Sequence, residues 1–365
     1  MFEYRLENDL RPILHIRFGQ LMEPIISFVI PTYNSEKFVH RALMSLMKQK
    51  CKDFEIIIVD DSTDKTLEVV RTVLMNHSFD NYTIIHNNER RGQSYARNVG
   101  IQNARGKYII FLDSDDSVGE SLVEIVKNVI AQNEPEIICW KFGSFNENCQ
   151  EIEGWDFSGL RAGIYQGHEV LSRILINRDF WISTISAAYD RKELARWQIV
   201  FSEDIYNGED LEFTWKCLAM SHKVQYIDEK LSYYTVRENS ISRTPSLNKF
   251  TNIIAFDRVI KFISENVEGI SKKSLIEGLN EVKVYHFLIT MDQILYNCNK
   301  KASILYEIEA LYPGLLNNVS SAARKFRLFR FISRWPLSTK VLLFGFSWSR
   351  RIYTALRKSY IRHFW

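Results

Sequence analysis

The 365-residue chain has no stretch approaching the roughly 18–20 uncharged apolar residues that a membrane-spanning helix requires, so a polytopic membrane protein is not expected. Its five cysteines, Cys51, Cys139, Cys149, Cys217 and Cys298, are odd in number and form no C-x-x-C pair. That argues against a disulfide framework or a zinc knuckle and for a reducing compartment. There is no G-x-G-x-x-G and no Walker loop, so backbone amides are not expected to be the main cradle for a phosphate. The first 24 residues lack the apolar core and small-residue cleavage site of a secretory leader, and charged residues such as Glu3, Arg5 and Asp9 interrupt them. The expectation is a cytoplasmic chain.

Acidic residues are missing from one place in particular. Residues 311–365 contain 11 Lys or Arg and no Asp or Glu, leaving 36 basic against 44 acidic residues, a net −8, for everything before them. The near-neutral total of +3 therefore hides an acidic body and a basic end, a distribution that suits a polyanionic partner. The 46% apolar content is ordinary for a folded protein and argues against wholesale disorder.

The apolar run Tyr108-Ile109-Ile110-Phe111-Leu112 stops at Asp113-Ser114-Asp115-Asp116. Such a run reads as a buried strand that delivers its acids together at the carboxyl end, where open α/β sheets bind ligands. Clustered carboxylates repel one another unless a cation sits among them, and all-oxygen donors suit magnesium or manganese. A solvated acidic turn capping the next helix is the plain alternative. Around this run the pattern alternates. Residues 25–30, 54–59, 82–86 and 136–142 read as further strands, and helices are expected near 35–47, 65–74, 92–104 and 122–129. Repeated β-α units mean an α/β fold, a Rossmann-like and mostly parallel sheet with right-handed crossovers. A flavodoxin-like receiver or hydrolase domain is the alternative. Residues 143–180 are expected to be loops and 183–189 a strand. Two closing strands are expected at 224–227 and 231–236, and helices from residue 245 onward.

At the strand ends stand Pro31-Thr32-Tyr33-Asn34, Asp60-Asp61-Ser62-Thr63-Asp64, Gly92 through Ala96-Arg97-Asn98, and Asp113-Ser114-Asp115-Asp116, followed by Gly208-Glu209-Asp210 and Arg237-Glu238-Asn239-Ser240. Each motif is short, but their order carries information. In that order they resemble a family 2 glycosyltransferase of the GT-A fold, over about residues 25–242. The resemblance implies a catalytic domain at 25–244 between an N-terminal extension, 1–24, and a helical C-terminal region, 245–365. It implies an inverting enzyme that uses a nucleotide diphosphate sugar, with a uridine diphosphate sugar as the expected donor. Pro31, Thr32, Tyr33, Asp61, Arg97, Asp113, Ser114, Arg237 and Ser240 would then bind the donor. Asp113 and Asp115 would hold Mn2+ or Mg2+. Asp210 would be the general base, with Glu209 raising its pKa or orienting the acceptor. The run Arg330-Phe331-Ile332-Ser333-Arg334-Trp335 has one residue too many for the signature of processive polysaccharide synthases.

Basic and aromatic residues alternate through 326–365, which suits an interfacial helix lying on anionic lipid. The expectation is peripheral attachment to the inner face of the cell membrane, near a glycan or lipid-linked glycan acceptor of a cell-surface or capsular polysaccharide. Packing on the catalytic domain or within a homo-oligomer is the alternative. Nothing upstream resembles a nucleic-acid reader. Two other functions compete with transfer. One is a non-catalytic carbohydrate-binding or membrane scaffold protein that keeps the fold, against which Asp113, Asp115 and Asp210 argue. The other is a sugar-phosphate nucleotidyltransferase, which would carry a glycine-rich loop after its first strand where this chain has Pro31 to Ser35.

Overall fold

The structure is a computed structural model. It describes residues 14–18, 23–147, 150–152, 159–237, 244–269, 271–297 and 304–324. Along the chain these form strand β1 (Leu14–Phe18), β2 (Ile26–Thr32), helix α1 (Val39–Met47), β3 (Phe54–Asp60), α2 (Thr66–Asn76), β4 (Tyr82–His86), α3 (Gln93–Asn103), β5 (Tyr108–Phe111), β6 (Ser117–Val118) and α4 (Leu122–Asn133). There follow β7 (Ile137–Asn146), β8 (Glu151–Ile152), β9 (Gly163–Tyr165), α5 (Gly167–Ser172), β10 (Ala187–Asp190), α6 (Arg191–Trp197), α7 (Glu209–Met220) and β11 (Val224–Val236). Four helices end the described chain: α8 (Thr251–Asn266), α9 (Ser271–Asn297), α10 (Ile304–Leu311) and α11 (Leu315–Arg324).

All the strands join one sheet, whose main path runs β1-β4-β3-β2-β5-β10-β7-β11-β6. The central four, β4-β3-β2-β5, are parallel, as are β7 and β11. Every residue of β2 and β3 is buried, which is why neither alternates polar with apolar along its length, and the one polar pair inside them, Ser27 and Glu55, is hydrogen-bonded at 2.7 Å. Period-2 geometry divides them between two layers. Phe28, Ile30, Ile56, Ile58 and Ile110 pack with Leu43 and Leu46 of α1, Val70 and Leu74 of α2, and Val126 of α4. Val29, Ile57, Val59, Ile109 and Phe111 pack on the other face with Ala96 of α3 and Phe213 of α7. Gly100 keeps α3 tight on this face, since a Cβ there would lie 2.2 Å from Val29 Cγ1.

Three expectations needed adjustment. Residues 183–186 form a capped 3-10 turn, and only Ala187–Asp190 is strand. That strand lies antiparallel between β5 and β7, with Ala188 opposite both Ile110 and Ile138. The two closing strands are one, β11, bulged where the exposed Asp228 and Glu229 leave the ladder. Residues 143–180 are more regular than expected, because β7 runs on to Asn146 and α5 packs beneath α7.

The C-terminal helices share the sheet's core. Phe256 of α8 stacks on Trp215 of α7 at 5.3 Å between ring centroids, and Val259, Ile263, Leu275 and Leu279 continue the same cluster. Trp215 is buried and Trp181 packs edge-on to it, so both tryptophans belong to packing. No helix among the described residues is long and apolar enough to cross a membrane.

Candidate active site

A cleft of about 480 Å³ opens at the carboxyl ends of β2, β3 and β5 and reaches the start of α7. Pro31, Thr32, Tyr33, Asp61, Asp113, Ser114, Asp115, Glu209, Asp210 and Arg237 all line it. Parallel strands make this convergence, since each βα turn must open on the same sheet edge. Arg97 lies under the floor of the cleft rather than in its wall, with its side chain 2% exposed. Ser240 falls outside the described residues, as does the basic tail beyond residue 324.

At one end the β2 and β3 turns brace each other. Thr32 Oγ1 donates to Asp60 Oδ1 at 2.6 Å, and Asp60 Oδ2 meets His86 Nδ1 at 2.7 Å. Asp61 accepts from Asn87 Nδ2 at 2.8 Å and from the backbone N–H groups of Arg91 and Gly92 at 2.7 and 2.9 Å. A carboxylate has about four acceptor positions, so Asp61 shapes the 87–92 turn and keeps one position for a ligand. Tyr33 is exposed, with the Arg90 guanidinium 4.3 Å from its ring centroid.

The three acids after β5 separate into two kinds. Asp113 and Asp115 face the cleft. Asp113 Oδ1 accepts from Arg97 at 2.9 Å and Gln93 Nε2 at 2.8 Å, and Asp115 Oδ2 pairs with Arg237 at 2.6 Å. Burial and the neighbouring Asp113 charge raise the Asp115 pKa against the pull of Arg237. Asp116 points away, 1% exposed, and accepts from the Thr235 N–H at 2.7 Å while its other oxygen has no hydrogen-bond partner. Its burial, with Asp115 and Asp113 beside it, holds the carboxyl well above the usual range, and its bond to Thr235 ties the end of β11 to the acid turn. Arg41 of α1 makes a second tie, donating to the Asp115 carbonyl and to Thr235 Oγ1.

At the far end Gly208, at φ +92°, turns the chain into α7 and presents Glu209 and Asp210 at the helix start. Asp210 Oδ1 accepts from the Leu211 N–H at 2.8 Å, and Thr184 Oγ1 lies 3.4 Å from Oδ2. Arg97 links the two ends, since its second nitrogen reaches Glu209 Oε1 at 3.3 Å. Burial pulls the Arg97 pKa down, but Asp113, Glu209 and Asp210 outweigh it and the net movement is upward. The cleft thus holds a pair of acids suited to a cation at one end and a buried acid able to take a proton at the other.

The family model for glycosyl transferase family 2 matches residues 27–172. Over those residues, about two fifths of its length, the chain is similar to glycosyl transferase family 2. Similar proteins include the glycosyltransferase GlyA of Streptococcus pneumoniae serotype 4, 28% identical over 230 residues, which are 61% of this chain and 32% of GlyA. The glycosyltransferase EpsJ of Bacillus subtilis is 29% identical over 226 residues, 61% of this chain and 64% of EpsJ. The chain thus spans from about a third to just under two thirds of the length of these two relatives. Among solved structures, residues 1–349 of Staphylococcus aureus TarS in complex with UDP-GlcNAc superpose with a TM-score of 0.66 at 21% identity, covering 88% of this chain and 90% of that one. The complex with UDP gives 0.65 at 20% identity, covering 88% and 89%. The fold is GT-A, as the sequence led us to expect.

The sequence motifs leave several residues in and around the cleft unmarked. Tyr206 of the cleft wall, and Arg41 and Thr184 that contact its residues, lie outside the quoted motifs, and a lone polar or aromatic residue carries no periodic signal. Glu209 yields a test independent of turnover. Burial first, then the Asp210 charge, push its carboxyl up to about 7 against Arg97. A raised folded-state pKa adds stability that is fully present below the unfolded value near 4.3 and lost as pH rises through about 7. Glu209→Gln is therefore expected to raise the melting temperature at pH 8 by about 2 °C or more and to leave it near wild type at pH 5. A larger gain at pH 5 than at pH 8, measured by calorimetry, would contradict this origin.

Proposed function

We propose that this protein is an inverting family 2 glycosyltransferase that moves a sugar from a nucleotide diphosphate sugar, with a uridine diphosphate sugar as donor, to a hydroxyl of a glycan. The observation that carries the reading is the pairing of Asp113 and Asp115 with Glu209 and Asp210 in one cleft, joined from below by Arg97. Asp210 would accept the proton of the acceptor hydroxyl as its oxygen attacks the anomeric carbon from the face opposite the departing diphosphate. One displacement inverts the centre and needs no covalent sugar. Asp61 and Tyr33 would meet the base, while Ser114, Arg97, Arg237 and Ser240 would serve the donor end. The TarS complexes with UDP and UDP-GlcNAc support the choice of nucleotide.

Asp113 and Asp115 fit a divalent ion. Their donors are all oxygen, and the repulsion that raises Asp115 is a cost that a cation would remove. Among the described residues no three acidic, histidine or cysteine side chains converge to hold a metal, which suits Mg2+ or Mn2+, ions usually held by one or two carboxylates plus substrate phosphates. Such an ion would neutralise charge growing on the leaving diphosphate. The rest of the reading is the acceptor and its place: a lipid-linked, cell-surface glycan, reached from the inner face of the membrane through the basic tail. TarS of Staphylococcus aureus, 26% identical over 214 residues, is named a poly(ribitol-phosphate) β-N-acetylglucosaminyltransferase, in keeping with envelope-polymer work.

The test is a thermal-shift and hydrolysis screen of nucleotide sugars with and without manganese. At a ligand concentration 100 times its Kd, binding adds about 2.7 kcal/mol, a readily seen shift. Wild type should respond to a uridine diphosphate sugar chiefly when manganese is present, and Asp115→Ala should lose that dependence. If no nucleotide sugar shifts or is consumed by wild type, the function is wrong.

A further inference from the structure

We propose that Tyr206 is a platform for a cyclic sugar of the acceptor and that Thr251, at the start of α8, is the residue that positions it; this rests on the transfer reading above. Tyr206 lines the cleft four residues before Asp210. It is 42% exposed, whereas Ile205 beside it is 5% exposed and packed inward. Exposed aromatics commonly sit on mobile loop tips, but this one is held on a fixed backbone. The N–H groups of Tyr206 and Asn207 both donate to Thr251 Oγ1, each at 3.1 Å. The Thr251 hydroxyl in turn donates to the Asn248 carbonyl at 2.8 Å, so one side chain satisfies two loop amides and ties back to the 3-10 turn, Leu247–Phe250, that precedes its helix. Gly208 completes the clamp. A Cβ there would lie 3.0 Å from Asn252 Cβ, so the loop rests directly on α8.

An aromatic ring kept wet on a backbone fixed at two consecutive amides does not have to be ordered when a ligand arrives, which lowers the entropic cost of binding. Its flat apolar face matches the C–H face of a pyranose, and its hydroxyl adds a polar handle. The other exposed tyrosine of the cleft, Tyr33, already has Arg90 over its ring at the opposite end. Tyr206 lines the same cleft as Asp210, the acid that the transfer reading places against the attacking hydroxyl. An acyclic polyol has no persistent flat face, so this platform selects a ring.

Saturation-transfer NMR with methyl β-D-glucopyranoside, methyl β-D-galactopyranoside and, as acyclic control, ribitol, each in the presence of UDP and Mg2+, tests the assignment. UDP affinity is measured in parallel by calorimetry. At least one methyl pyranoside should bind wild type and Tyr206→Phe through its ring C–H protons. Affinity should fall on the order of tenfold in Tyr206→Ala. Thr251→Val should weaken it and Thr251→Ser restore it, while UDP affinity stays the same in all four variants. Equal pyranoside binding by Tyr206→Ala, no pyranoside binding by wild type, or ribitol binding as well as the pyranosides would each overturn the platform. If wild type fails to bind UDP, the transfer reading falls and takes the platform with it; UDP binding with unchanged pyranoside affinity in Tyr206→Ala removes the platform alone.

Discussion

Asp210→Asn is expected to lower sugar transfer by about 10²–10⁴-fold while UDP binds with unchanged affinity. The amide keeps the size of the carboxylate and can still accept from the Leu211 N–H, so the start of α7 stays in place. What disappears is the ability to take a proton. Burial raises the Asp210 carboxyl, partly offset by Arg97, which brings the group toward the pH at which it must work. A rapid-quench assay of transfer together with calorimetry of UDP separates the two effects. Wild-type turnover by Asp210→Asn would remove this residue as the base.

Arg97→Met is expected to cost about 3–5 kcal/mol of folding stability and to abolish transfer together. The guanidinium is 2% exposed and compensates Asp113 and Glu209 directly, with Asp210 adding to the field that raises its own pKa. Removing it leaves those acids clustered in a poorly hydrated floor with no fixed cation between them. Arg97→Lys is a milder test, since a lysine retains the charge but cannot reach two carboxylates in a planar fork. Denaturant unfolding at pH 8 and at pH 5 checks the cause. The penalty should shrink at pH 5, where Glu209 is protonated. A penalty independent of pH would point to lost packing against Phe201, over whose ring the guanidinium lies at 5.1 Å.

The strand ends were legible because parallel strands buried on both faces leave continuous apolar runs, and polar residues that break such runs fall at one sheet edge. Asp61, Asp113 and Asp115 could be marked on that ground, whereas Asp210, at the start of a helix, was marked only by the resemblance. What could not be read was how they meet. Arg97 stands in the first turns of a helix, and nothing local tells that one nitrogen faces the turn after β5 and the other the start of α7. That depends on strand order, including β10, whose four residues are too few to carry a period. Asp116 looked equivalent to its neighbours in sequence, yet the alternation of a short turn sends it to β11 instead of the cleft. Thr251 left no trace, because a hydroxyl that bonds two amides 45 and 44 residues away has no spacing rule.

The bond from Thr251 to the loop before Asp210 bears on modularity. The family match ends at residue 172, whereas the loop at 206–210 and its anchor on α8 lie beyond it. Recombination that exchanged this chain at the match boundary would carry over the acids after β5 without the loop, the helix that secures it, or Asp210 that follows it. Inheritance of an intact cleft therefore requires crossover points after α8. The two ends of the cleft must then travel through descent as one block, even though the match boundary falls between them.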